Sequence, residues 1–266
     1  TLRVEAPQWH HAGVHVVRAA YRQTAGRGRQ GRSWQAEPGR ALMFSVGCIV
    51  PQARVHAVGY CLGGTLLAIA AAAMTRAGDD RLRSMTLFAA QTDFSEPGEL
   101  ALFIDPAQVH MLDSLMWERG YLTAGQMSGA FQMLRSNDLV WSRVVREYLM
   151  GERPPPSDLM AWNADATRMP HRMHSEYLHR LFLDNALACG HYVVDGHAVS
   201  LHGLRLPIFV VGTESDHVAP WRSVFKLHDL TDAPLTFVLC NGGHNAGIVD
   251  EPGRPHRHFR IRTRAQ

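Results

Sequence analysis

Arg54-Val-His-Ala-Val-Gly-Tyr-Cys-Leu-Gly-Gly64 is the stretch that decides the fold. It opens as an apolar run of strand length and then turns through Gly59, Gly63 and Gly64. Thr65 to Thr75 follows, rich in Leu and Ala and a strong helix former. The order is strand, tight turn, helix. Gly59-Tyr-Cys-Leu-Gly63 matches the pattern G-x-S-x-G with cysteine in place of serine. Flanking glycines let the backbone turn sharply and raise the central side chain above a sheet. The N–H groups of the following helix then favour a thiolate at Cys61. Alone, the pentapeptide divides evenly between a nucleophile and a cysteine buried in an ordinary strand–helix turn.

Outward from this segment the pattern repeats. Met85 to Ala90 reads as a second buried strand, Leu206 to Val211 as a third and Leu235 to Leu239 as a fourth. Gly212 to Pro220 is a polar turn, Trp221 to Leu230 a helix, and Asn241-Gly-Gly-His244 a loop. Residues 98–200 differ: periods of three and four dominate, broken once at Pro154-Pro-Pro156, which predicts a mostly helical insertion. Strands alternating with helices predict an α/β fold with a mostly parallel sheet and helices on both faces. Active sites in such sheets lie at the carboxyl ends of the strands. The three loops at that edge carry Cys61, Asp216 and His244. The basic tail from Gly253 to Gln266 is expected on the surface or frayed.

The order nucleophile, acid, histidine is that of the elbow fold. The chain has 16 histidines, and a lone histidine is ordinarily a surface or satisfied one. Position in the order singles out His244, 28 residues after Asp216, which leaves room for one helix and one strand. Glu214 and His217 are the nearest competitors for acid and base; Asp216 is preferred, and His217 is read as shaping the site. In these roles His244 accepts the Cys61 proton, Asp216 holds the imidazole tautomer, and the N–H of Leu62 supplies one oxyanion donor. Sulfur attack on a thioester is a near-isoenergetic acyl exchange, which leans towards acyl transfer rather than hydrolysis.

Composition bounds the rest. The 266 residues carry a net charge of +3, too small for a nucleic-acid binder. The charge is uneven: residues 1–52 hold seven Arg against two Glu, and the remainder is −2. Lys226 is the single lysine. No apolar run reaches the ~18 residues of a membrane span, and no signal peptide is visible. The first residue is Thr, so the natural start is expected upstream. Cys48, Cys61, Cys189 and Cys240 are far apart, so neither a disulfide framework nor a zinc site is expected and a cytoplasmic setting is the default.

At this point the chain resembles the polyhydroxyalkanoate synthases. The resemblance lies in Val55-His-Ala-Val-Gly-Tyr-Cys-Leu-Gly-Gly-Thr-Leu-Leu67, Leu87-Phe-Ala-Ala-Gln-Thr-Asp-Phe94 and Ser136-Asn-Asp-Leu-Val-Trp141. It continues through Ala161-Trp-Asn-Ala-Asp-Ala-Thr-Arg-Met-Pro170, Gly212-Thr-Glu-Ser-Asp-His-Val-Ala-Pro-Trp221 and Gly242-Gly-His-Asn-Ala-Gly-Ile248. It covers about 53–262 and implies an α/β-hydrolase-type domain over 53–266 with a helical cap at about 98–200. It implies Cys61 as acyl carrier, His244 as base and Asp216 as the third member, the acid also helping to activate the 3-hydroxyl of the incoming monomer. The implied substrates are (R)-3-hydroxyacyl-CoA thioesters and a growing polyester chain, with no cofactor and no metal. His217, Trp221 and Asn245 are the implied substrate-binding residues. Dimer contacts through the cap and a location at polyester granules in the cytoplasm are implied as well.

The head departs from this pattern. Gln23-Thr-Ala-Gly-Arg-Gly-Arg-Gln-Gly-Arg-Ser-Trp34 and Gly39-Arg-Ala-Leu-Met-Phe-Ser45 resemble the nucleotide loop of biotin–protein ligases. A working ligase is not expected, because residues 11–50 are too few and Lys226 lies in the other part. With 54 residues before Val55, the usual early strands are expected to be missing or replaced, which leaves the second oxyanion donor unidentified. The competing readings are a cysteine hydrolase of the dienelactone type and an inactive chimera or ligase-like fragment. The long insertion before Asp216 and the Trp162-Asn163 motif argue against the hydrolase.

Overall fold

The computed structural model describes residues 54–134, 140–152, 168–251 and 253–264, together with the backbone of four short strands between 14 and 48. The chain divides into two compact units, one of residues 1–53 and 123–168 and one of 54–122 and 169–266.

The second unit is built on a five-stranded sheet. Its strands are β1 (Val55–Tyr60), β2 (Leu82–Phe88), β3 (Ile208–Thr213), β4 (Leu235–Cys240) and β5 (Phe259–Arg264). They lie in that order; the first four are parallel and β5 runs antiparallel to β4. Side chains alternate across a pleated strand, so residues two apart share a face. Met85 and Leu87 stand beside Ile208 and Val210, which stand beside Leu235 and Phe237, and all six are buried. This belt across three parallel strands is the centre of the core, and burying such a side chain contributes roughly 1.5–3 kcal/mol.

Helix α1 (Leu62–Arg76) covers β1 and β2 with a buried face of Gly64, Thr65, Ala68, Ile69, Ala71 and Ala72, small residues apart from Ile69. It stops where Gly78 adopts φ 72°, a left-handed value that glycine takes without cost. Residues 98–183 are mostly helical where described. A 3-10 turn (Gly98–Phe103) leads to α2 (Pro106–Trp117), capped by Asp105, which accepts from the amides of Ala107 and Gln108. Helix α3 (Ala124–Leu134) and a π-helical turn (Val144–Leu149) belong to the first unit. Helix α4 (His171–Glu176) and the π-helical turn Tyr177–Leu183 belong to the second. Pro154-Pro-Pro156 and the Trp162-Asn163 motif lie outside the described residues. No described helix is long and apolar enough to cross a membrane.

Two expectations need correction. The tail lies on the surface, as one half of the expectation had it, but it is not frayed: β5 pairs with β4 from Phe259↔Cys240 to Arg264↔Leu235. Arg264 fastens its end by donating to the carbonyls of His228 at 2.7 Å and Ala233 at 3.2 Å, and to that of Thr231. The helix expected over 221–230 breaks at Lys226 into α5 (Trp221–Phe225) and α6 (Leu227–Leu230). In the first unit, strands Val14–Ala19 and Met43–Cys48 pair antiparallel with one another. The ligase-like loop lies outside the described residues, apart from the backbone of Gly26–Arg27, Ser33–Trp34 and part of the second strand.

Candidate active site

Strand β1 ends at Tyr60, and Cys61 occupies the turn into α1 with φ 53° and ψ −126°. A non-glycine residue rarely holds a positive φ, and such strain collects at functional sites. The turn is fixed on both sides: Cys61 N donates to Phe88 O at 2.8 Å, and Cys61 O accepts from Gly64 N at 2.9 Å. Sequence reading credited Gly59, Gly63 and Gly64 together with making this turn possible. The structure assigns the constraint to Gly59 and Gly64. A Cβ on Gly59 would stand 2.5 Å from Gly64 Cα, and one on Gly64 would collide with Ala90 Cβ, whereas Gly63 faces open space. Leu62 is the first residue of α1, where backbone N–H groups have no partner within the helix.

Asp216 sits in the loop after β3 with its side chain wholly shielded from solvent. Its Oδ1 accepts from the amides of Val218 at 2.9 Å and Ala219 at 2.8 Å. Its Oδ2 accepts from the Thr213 hydroxyl at 3.1 Å and lies 2.8 Å from His244 Nδ1. A carboxylate only accepts, so Nδ1 carries the proton and Nε2 is left for the Cys61 thiol, with which His244 also hydrogen-bonds. Burial opposes a charge on His244, but the hydrogen bonds to Asp216 and Cys61 outweigh it and push its pKa up to about 9. Glu214, the competing acid, points elsewhere and lies 3.5 Å from His258.

Among the three residues read as substrate-binding, Asn245 is brought to the centre and accepts a hydrogen bond from the Tyr60 hydroxyl. His217 stands half-buried in the turn that carries Asp216. Trp221 heads α5 and packs against Gly212 and Phe225, on the flank of β3. Sequence reasoning passed over Tyr60. Its hydroxyl donates to His244 O at 3.1 Å as well as to Asn245, and its ring lies 5.2 Å from the His244 ring. Burial, then the charges of Cys61 and Asp216, push that hydroxyl well above the usual tyrosine range. The available signal was its place immediately before the elbow cysteine. Tyr177 was also missed; burial, then the charge of Cys61, raises its hydroxyl likewise.

A cysteine at a strained strand–helix turn, a histidine from a later loop and a shielded carboxylate thus come together at the carboxyl edge of a mostly parallel sheet. The chain belongs to the alpha/beta hydrolase fold, whose family profile matches residues 49–251. More particularly, it is 42% identical over 227 residues to the poly(3-hydroxyalkanoate) polymerase subunit PhaC of Rhizobium meliloti, covering 84% of this chain and 37% of that protein. It is 40% identical to the poly(3-hydroxyalkanoate) polymerase of Methylorubrum extorquens, over 87% of this chain and 38% of that protein. It is 33% identical to the PhaC subunit of Cupriavidus necator, over 77% of this chain and 36% of that protein. The chain thus spans well under half the length of these relatives. None of these likenesses supports the ligase-like reading of residues 11–50.

Proposed function

We propose that this chain carries the catalytic centre of a polyester-forming acyltransferase that polymerises (R)-3-hydroxyacyl-CoA thioesters into polyhydroxyalkanoate. The observation that carries the reading is a cysteine, not a serine, at the elbow, hydrogen-bonded to a histidine that a buried aspartate holds in one tautomer. The Cys61 thiolate attacks the thioester carbonyl, and the Leu62 N–H stabilises the oxyanion that forms. Collapse breaks the bond to CoA, whose sulfur takes a proton from the His244 imidazolium. The acyl group then rests on Cys61 as a thioester. The 3-hydroxyl of an incoming CoA thioester gives its proton to His244 and attacks that carbonyl. An ester bond forms, the Cys61 thiolate leaves, and the chain-extended CoA thioester can acylate Cys61 again.

The resemblance assigns Asp216 direct help to the hydroxyl. Its surroundings favour an indirect role, because both oxygens are engaged by Val218, Ala219, Thr213 and His244. On this reading His244 moves both protons and Asp216 positions it. Asn245 and His217 border the reacting carbonyl, no cofactor or metal takes part, and the protein works as a homodimer in the cytoplasm at granule surfaces. The test is to incubate the purified chain with 3-hydroxybutyryl-CoA and follow CoA release. Release that Cys61→Ala abolishes is expected; full release by Cys61→Ala would sink the assignment.

A further inference from the structure

Two helical faces meet beside Cys61. Leu62 and Leu66 stand one turn apart on α1. Met173, Tyr177 and Leu181 follow at spacings of four along α4 and the π-helical turn behind it. Residues at such spacings share a face. Between the two faces lies an open groove of about 480 Å³, within the roughly 300–1,000 Å³ of small-molecule sites. Leu66 is 43% exposed and Met173 37% exposed, although Gly64, Thr65, Ala68 and Ile69 beside Leu66 are buried. Large apolar side chains kept open along one groove mark a surface that takes an apolar ligand.

The groove lies next to the candidate nucleophile, whose chain neighbour lines it. Leu62 follows Cys61 directly, and Tyr177 lies close enough to Cys61 to feel its charge. The polar groups along the groove are few. Glu176 already accepts from the Tyr192 hydroxyl at 3.2 Å, and Arg172 is solvent-exposed at the rim. A pantetheine arm carries two amides that need buried partners and ends in phosphates that need several cations. An aliphatic oligoester presents methyl groups and weak ester acceptors only. We propose that this groove, lined by Leu62, Leu66, Met173, Tyr177 and Leu181, holds the last few units of the oligoester that Cys61 carries; the proposal rests on Cys61 being the acyl carrier.

The test separates the groove from the chemistry. The methyl ester of the (R)-3-hydroxybutyrate trimer is titrated into the full chain by calorimetry. Wild type is expected to bind it. Leu66→Trp and Met173→Trp, both at exposed positions, are each expected to weaken binding at least tenfold by filling the groove. Arg172→Gln is expected to leave it unchanged, and free CoA to leave it undisplaced. Leu115→Trp, which adds the same bulk at an exposed α2 position outside the groove, serves as a second variant and should retain binding within threefold. No binding by wild type, undiminished binding by both tryptophan variants, or displacement by CoA would overturn the proposal. A wild type that binds the trimer but releases no CoA from 3-hydroxybutyryl-CoA supports the groove and overturns the catalytic reading alone. Where CoA is released, Met173→Trp should keep the first equivalent and shorten the product.

Discussion

His244 Nδ1 lies 2.8 Å from Asp216 Oδ2, and nothing about that carboxylate is left to solvent. Burial opposes the charge, but this pairing together with Cys61 raises the imidazole pKa to about 9, above its ordinary 6.5. A group whose pKa is raised by folding stabilises fully below its unfolded value and loses that contribution as pH rises through the folded one. The pairing should therefore stabilise at pH 6 and fade between pH 6.5 and 9. Denaturant titrations of wild type and Asp216→Asn should show a pH-dependent difference on the order of 2 kcal/mol over that window. Ring NMR should find His244 titrating near pH 9 in wild type and markedly lower in Asp216→Asn. A His244 titration near 6.5 in both would contradict the geometry.

Asp216 and Glu214 are two residues apart but are not interchangeable. Asp216→Asn should lower the rate of CoA release by roughly 10³–10⁴-fold, since the imidazole loses its orienting acceptor. Glu214→Gln should stay within about threefold of wild type, because its partner is the partly exposed His258. Rates measured side by side decide between them.

Tyr60→Phe removes the hydroxyl that ties β1 to the loop bearing His244 and Asn245. Leaving those acceptors unpaired should cost about 1–2 kcal/mol of stability. Denaturant midpoints should fall accordingly, and CoA release should slow while Cys61 remains reactive to a thiol probe.

The elbow predicts a contrast between adjacent glycines. Gly64→Ala drives a methyl group into Ala90 Cβ, so it should destabilise by about 1–3 kcal/mol or leave the chain insoluble. Gly63→Ala meets open space within α1 and should be neutral or slightly stabilising. Equal effects of the two substitutions on thermal unfolding would show that the turn is not packed as described.

Much of this was legible in the sequence because the deciding signals are local. The run into Gly59, the Ala-rich α1 and the apolar strands ending near Val211 and Leu239 each carry their own periodicity. The order Cys61, Asp216, His244 then follows from topology alone. What stayed hidden depends on tertiary packing. Composition marked the tail as a polar surface, but β5 is held by backbone pairing to β4 and by Arg264, whose acceptors are carbonyls 31 to 36 residues away in sequence. Tyr60 looked like one more apolar strand residue until the loop at 244–245 closed over its hydroxyl. Gly64 and Gly63 look alike in a motif; only the approach of Ala90 separates them.

The most direct test of the central claim is the intact mass of the chain after brief exposure to 3-hydroxybutyryl-CoA, with the adduct mapped by peptide fragmentation at low pH. A hydroxybutyryl group on Cys61, absent from Cys61→Ala and accumulating in His244→Gln only slowly, is the predicted result. CoA release without an adduct on Cys61, or an adduct on Cys189 or Cys240 instead, would contradict it.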